Sequence, residues 1–324
     1  MVESPADKGR AVESFELREE IAKGGRSYFL QTSFLPRRKI VQSSFFVNGE
    51  LFDRRIDQLA EAPAGTDART FTKHVHNENK DRFLFLLGAR EKIRKMDDAV
   101  AHLRLAEALC RRNLFEEAIQ EARLSIDKGN GDSAPYVLIG RAKLRLEEYG
   151  EAFEAVQKGI EINPEYPDLH NLIGLVYLHE RKCAPAIESF KRAIALNIYY
   201  GEPYLNLARA YLLNSVVKED YELSKDLDEK FEKNLSRAVE LNPFIQGEIV
   251  DRARALFREE KYEEALAALD EASGGADRGG IREIVLELYL LFLQSGGDLD
   301  VKAIDGYLDR VREMLDRNPT CLLY

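Results

Sequence analysis

Few side chains of this 324-residue chain stand where they could do chemistry. The cysteines are three, Cys110, Cys183 and Cys321, far apart and never in a CxxC spacing. They offer neither a zinc half-site nor a redox pair, and the first two fit as small buried residues of helices. Cys321 opens CLLY, a poor prenylation box because Tyr is not among its usual last residues. His74 and His76 lie one residue apart, on different faces of a helix, where a helical metal site needs i, i+4. The pairs Glu116-Glu117, Glu147-Glu148 and Glu263-Glu264 open helical patterns, where negative charge suits the helix N-terminus. Gly129-Asn130-Gly131 looks like part of a phosphate loop, but no strand precedes it and a turn is expected. No HExxH, GxSxG or Walker loop occurs. The expectation is a non-enzymatic protein with no catalytic residues, metal or cofactor; an enzyme with an unrecognised site is the rival of a different class.

Composition points the same way. A net charge of −10 argues against a nucleic-acid partner, which needs a cationic footprint. Charged residues at 32% and apolar ones at 45% suit a helical protein with solvated outer faces. No run approaches 18 uncharged apolar residues and the start carries no apolar leader, so no membrane insertion and a cytoplasmic location are expected.

The elements that would position any site change character along the chain. Residues 1–25 are polar and charged, and a mobile or weakly helical segment is expected. Residues 26–60 are rich in aromatic and β-branched side chains. Asn48-Gly49 sits between FFV and ELF and supplies the positive φ angles of a two-residue hairpin turn. Two or three short antiparallel strands are expected there, too few to stand alone, so they must pack on helices or on a partner. Residues 61–98 read as a linker, EAPAGTDA, and a leading helix carrying Phe71, Val75, Phe83 and Ile93.

From residue 99 a pattern returns every 34 residues. Ala118, Ala152 and Ala186 are 34 apart, and so are Ala106, Gly140, Gly174 and Ala208. A repeat of this length means stacked units, each too small to bury its own apolar face. The bulky fourth position of the units is His102, Tyr136, His170 and Tyr204, and Pro164 and Pro243 close two of them. These positions resemble the tetratricopeptide repeat (TPR) family over residues 99–272. The resemblance implies two antiparallel helices per unit, small residues where they cross, and an all-α solenoid of about five pairs. Residues 249–272 give the fifth, with Ala253 in the small slot. The fourth unit holds eleven extra residues between Asn214 and Ala238, which predicts a long projecting helix. Residues 273–324 read as a divergent capping pair, Ile281–Gln294 and Asp300–Arg317.

The same resemblance implies a concave groove lined by the second, fifth, ninth and twelfth residues of each first helix. Carried onto this sequence, those positions give Arg141, Leu144, Asn171, Leu175, Leu178, Arg209, Leu212, Arg254 and Phe257. Two readings stand side by side. The arginines pair with the many nearby glutamates, or they await an acidic-apolar segment or helix of another protein. The carboxylate clamp of the co-chaperone branch is not matched, since Val137, Leu172 and Glu202 stand where its parts are needed. A second candidate surface is the basic strand Arg37, Arg38, Lys39 to Phe45, whose edge could pair with a partner's strand; the competing reading is a lid on the first helices. The expected function is a scaffold or adaptor that binds a partner segment in the groove, with an assembly chaperone shielding a partner subunit as the alternative.

Overall fold

The computed structural model describes residues 14–23, 25–62, 65–242, 245, 247–273, 281–295 and 306. They form two compact units: residues up to 96 with 112–114, and 97–111 with everything from 115 onward.

The first unit is a four-stranded antiparallel meander, β1 (Glu16–Lys23), β2 (Arg26–Leu35), β3 (Ile40–Val47) and β4 (Glu50–Gln58), with helix α1 (Ala68–Ile93). Asn48 (φ 52°) and Gly49 (φ 83°) make the expected turn between the paired Val47 and Glu50. Strict alternation in β2 buries Tyr28, Leu30, Thr32 and Phe34 on one face. Phe83 of α1 meets that face, with ring centroids 5.0 Å from Tyr28 and 5.3 Å from Phe45. Polar groups inside are paired across the two layers: His76 Nδ1 lies 3.0 Å from Thr32 Oγ1, and Asn79 Nδ2 donates to Ser43 Oγ at 3.1 Å. Asp67 caps α1, accepting from the Arg69 and Thr70 amides at 2.9 and 3.0 Å.

Residues 16–23, expected to be mobile, are instead a strand. ELREEIAK has little β propensity, yet it pairs along its whole length with β2, and a sheet with one wet face accepts charged residues at alternate positions.

The second unit stacks helix pairs: α2 (Ala99–Arg111) with α3 (Phe115–Asp127), α4 (Ala134–Arg145) with α5 (Tyr149–Ile162), and α6 (Pro167–His179) with α7 (Cys183–Leu196). Next come α8 (Gly201–Val217), the short α9 (Tyr221–Ser224) and α10 (Leu227–Leu241), then α11 (Gly247–Arg258), α12 (Tyr262–Ser273) and α13 (Ile281–Ser295). The repeated small residues sit at the crossings: Ala106, Ala118, Ala152, Ala186, Ala208 and Ala253 are all fully buried. At Gly140 and Gly174 even a methyl would lie 2.6 Å from Val156 and 2.5 Å from Phe190. Cys110 and Cys183 are buried, as expected, and burial followed by Glu219 pushes the Cys183 thiol up to about 12. Pro243, Cys321 and the helix expected at Asp300–Arg317 lie outside the described residues, except for helical Gly306.

The first three pairs turn at a residue in the left-handed region, Asn113, Glu147 and Arg181, again 34 apart. The fourth unit skips that stop. Its first helix runs on to Val217 and ends only at left-handed Lys218. Residues 214–217 thus lengthen α8 by about one turn, and the other extra residues do not extend a projecting second helix. They fold back as α9, begun by Asp220 and pinned by fully buried Asn214, which donates to Asp220 O at 2.7 Å and to Ser224 Oγ at 2.9 Å.

Candidate partner-binding face

The first helices α2, α4, α6 and α8 stand in a row, each held by its partner helix behind it and by the next unit beside it. In the first units contact passes from a second helix to the following first helix, as α3 to α4 and α5 to α6. The fifth pair departs from this. Its second helix, α12, packs directly on α8, and α13 packs on α2.

Asn171 and Arg209 are drawn into one buried network. The Tyr200 hydroxyl donates to Glu202 at 3.2 Å, and Asn171 Nδ2 donates to that hydroxyl at 3.2 Å. Asn206 Nδ2 donates to Asn171 Oδ1 at 2.9 Å, and Arg209 Nη1 donates to Asn206 Oδ1 at 2.8 Å. Arg209 Nη2 then closes the chain on Asp270 of α12. Burial first, and then the Glu202 and Asp168 carboxylates, raise the Tyr200 phenol well above its usual range, so it stays a neutral donor.

Arg141 lies against Asp168 at 3.8 Å, with 39% of its side chain still accessible. Burial works to discharge it, but Glu202, Tyr200, Cys110 and Asp168 outweigh that and hold the guanidinium firmly charged. A charged group that is ringed by protein and still reaches solvent sits in a concavity. Leu175, at the equivalent place on α6, is half-buried and packs against both the cluster that α6 shares with α5 and the one it shares with α7.

The other expected lining residues are less open. Leu144 and Leu178 are buried. Leu212 is fully covered, in a cluster with Leu235 of α10 and Leu269 of α12. Arg254 is bonded to Glu232 Oε2 at 3.1 Å and Ser236 Oγ at 3.0 Å. With Phe257, whose ring stacks on Phe231 at 4.1 Å, it lines a cleft of about 400 Å³. Three residues of the network, Tyr200, Asn206 and Asp270, were not singled out in the sequence. Asn206 carries a signal, a polar residue mid-helix among apolar neighbours; Asp270 carries none, because its partner is 61 residues away.

The second candidate surface is corrected. β3 is an interior strand, bonded to β2 and β4 on its two sides, so it has no edge to lend. Phe45 points into the core and is fully buried, whereas Arg37, Arg38 and Lys39 form the exposed β2–β3 turn.

Among the described residues no three His, Cys, Asp or Glu side chains are placed to hold a metal, and no described helix is long and apolar enough to cross a membrane.

Antiparallel helix pairs in a 34-residue register, crossing at small residues, define a helical repeat module. Residues 137–201 match the family model described as Tetratricopeptide repeat, and over this stretch the helix pairs are TPR repeats. Solved structures with partial likeness include YrrB, titled a TPR protein with an unusual peptide-binding site, at 20% identity over 62% of this chain and 96% of that one, TM-score 0.38. A thermophilic TPR protein of Thermus thermophilus is 17% identical over 60% and 99%, TM-score 0.43. MamA from Desulfovibrio magneticus RS-1 is 19% identical over 55% and 95%, TM-score 0.39. No curated protein matches the chain. TPR repeats are in general non-enzymatic interaction modules, and the chain is a protein-interaction scaffold in that broad sense.

Proposed function

We propose that the chain is an adaptor that takes an acidic-apolar segment of another protein on the face of its first helices. The observation that carries this reading is Arg141, charged, ringed by protein and still 39% accessible, with half-buried Leu175 at the equivalent place on the next first helix. An apolar floor with one charge-assisted donor suits an extended or helical peptide, which supplies side chains for the floor and a carboxylate for the guanidinium. Buried Asn171 stands nearby, but its amide is engaged with Tyr200 and Asn206, so it positions the face rather than greeting the partner.

The test places a photo-crosslinking amino acid at Leu175, and separately at exposed Lys158 on the opposite helix α5. Cross-links to the same partner from position 175 and none from 158 support the reading. Capture from 158 alone moves the binding surface to the outer helices and overturns it.

A further inference from the structure

The chain already lays a helix on its own face, and the fit is incomplete. Leu205, Arg209 and Leu212 of α8 stand at the fifth, ninth and twelfth places that would line an open groove. All three are buried; the two leucines share one cluster with Ala265, Ala268 and Leu269 of α12 and with Leu235 of α10, and Asp270 of α12 closes on Arg209. From the chemistry of this contact we infer that the face of α8 is the docking surface for an acidic amphipathic helix of a partner, with α12 as its displaceable internal occupant. This rests on the reading of the first-helix face as the binding surface, and it adds the kind of partner and the means of control.

Three observations carry it. The first is polar. Only 9% of the Arg209 side chain is exposed; Nη1 donates to Asn206 and Nη2 to Asp270, but Nε is buried and meets no acceptor among the described residues. A buried guanidinium is best satisfied when one carboxylate takes Nε and Nη2 side by side. Asp270 meets Nη2 through Oδ1, and 53% of its side chain is exposed. A glutamate at the matching place, one methylene longer, reaches far enough to take both donors.

The second is apolar. To the cluster it shares with α8, α12 contributes two alanines and Leu269, all buried, with Leu266 and Tyr262 only partly buried, whereas α7 brings buried Ile187 and Phe190 to the same helix from the other side. Small side chains allow close approach, but they hold little apolar surface away from water. The third is topological. In the first units a second helix hands on to the next first helix; α12, itself a second helix, instead lies back across the first helix of the preceding unit, the place a ligand would take.

The surface therefore selects a helix with small residues at i and i+3, leucine at i+4 and a carboxylate at i+5, the spacing of Ala265, Ala268, Leu269 and Asp270. Charge complementarity fixes the sign of the partner, because the buried charge that α8 presents to its cover is Arg209.

The test uses the full-length chain and a labelled peptide of its own sequence, residues 247–273 carrying Asp270→Glu. Fluorescence anisotropy is measured with the wild-type chain, with Asp270→Lys, and with Asp270→Lys combined with Arg209→Gln. The lysine repels Arg209 and frees the face. At least tenfold tighter binding to the Asp270→Lys chain than to wild type is expected, and loss of that gain when Arg209 is also changed. Equal binding to all three, or none to any, overturns the inference. If Asp270→Lys does not fold by circular dichroism, Asp270→Asn replaces it under the same criteria. A dimer of the variant that the peptide dissolves would assign the surface to a second copy of the chain and overturn the partner reading. Failure of the Leu175 cross-link with success here would leave the α8 surface standing and relocate the rest of the face.

Discussion

Replacing Gly174 by alanine tests the helix crossing that the repeat register depends on. A methyl at this position lies 2.5 Å from Phe190 Cε1, 2.7 Å from Cδ1 and 3.0 Å from Cζ. Carbon atoms rest about 3.5–4.0 Å apart, so the ring must retreat by roughly 1 Å. Phe190 is fully buried and cannot swing into solvent. Either α6 and α7 part or the ring leaves its rotamer, and overpacking of this kind costs about 1–3 kcal/mol. The helix gains about 1 kcal/mol from losing a glycine. With three ring atoms within 3.0 Å and no route of escape, the cost falls in the upper half of its range, and a net loss of about 1–2 kcal/mol is expected. A methyl on Gly150, in α5, would meet nothing within 4 Å, so Gly150→Ala should stabilise by several tenths of a kcal/mol or more. Urea unfolding followed by circular dichroism, with amide exchange in α6 and α7, reads both variants. A Gly174→Ala protein as stable as wild type, or a Gly150→Ala protein that falls with it, refutes the close-crossing argument. Adding Phe190→Leu to Gly174→Ala should show a coupling of about 0.5–3 kcal/mol, since the clash is with that ring.

Asn214→Ala removes the side chain that bonds both backbone groups of Asp220 and the Ser224 hydroxyl; a loss of about 1–3 kcal/mol is expected, with faster amide exchange confined to residues 218–226, and unchanged exchange there would disprove the pinning. His179, stacked on Tyr149 at 4.8 Å, is held below its usual 6.5, first by burial and then by the charge of Arg209. Its folded pKa being the lower one, the unfolded chain binds the proton first on acidification, so stability is full above about pH 6.5 and declines as pH falls through the folded pKa. Urea midpoints between about pH 7.5 and 5.5 should drop more for wild type than for His179→Gln, and parallel drops would contradict the assignment.

The repeat was legible because its rule is steric and local. Only alanine or glycine fits where two helices cross, and Ala118, Ala152 and Ala186 announce it by spacing alone. The Asn48-Gly49 turn was legible for the same reason, since few residues accept two positive φ angles in succession. β1 was not, because a charged segment becomes a strand only through the ladder its neighbour offers. The insertion after Asn214 misled because helical phase predicts the direction of an apolar face but says nothing of a left-handed stop at Lys218. At the site, the positions of Arg141, Arg209 and Arg254 were legible and their partners were not. Whether an arginine is spent within the chain depends on pairs such as Arg209 with Asp270, which no local pattern reveals.

The closure of α12 over α8 also sets an order in time. Each helix pair completes its contacts with residues close by in sequence, so it can form as soon as it leaves the ribosome. The cover over α8 joins residues 61 apart and cannot close until α12, which ends at Ser273, has been made. Synthesis at about 5–20 residues per second puts roughly 3–11 s between the end of α8 at Val217 and the end of α12. Through that interval Arg209 of the nascent chain lacks Asp270, and an acidic helix offered to it would meet no competitor.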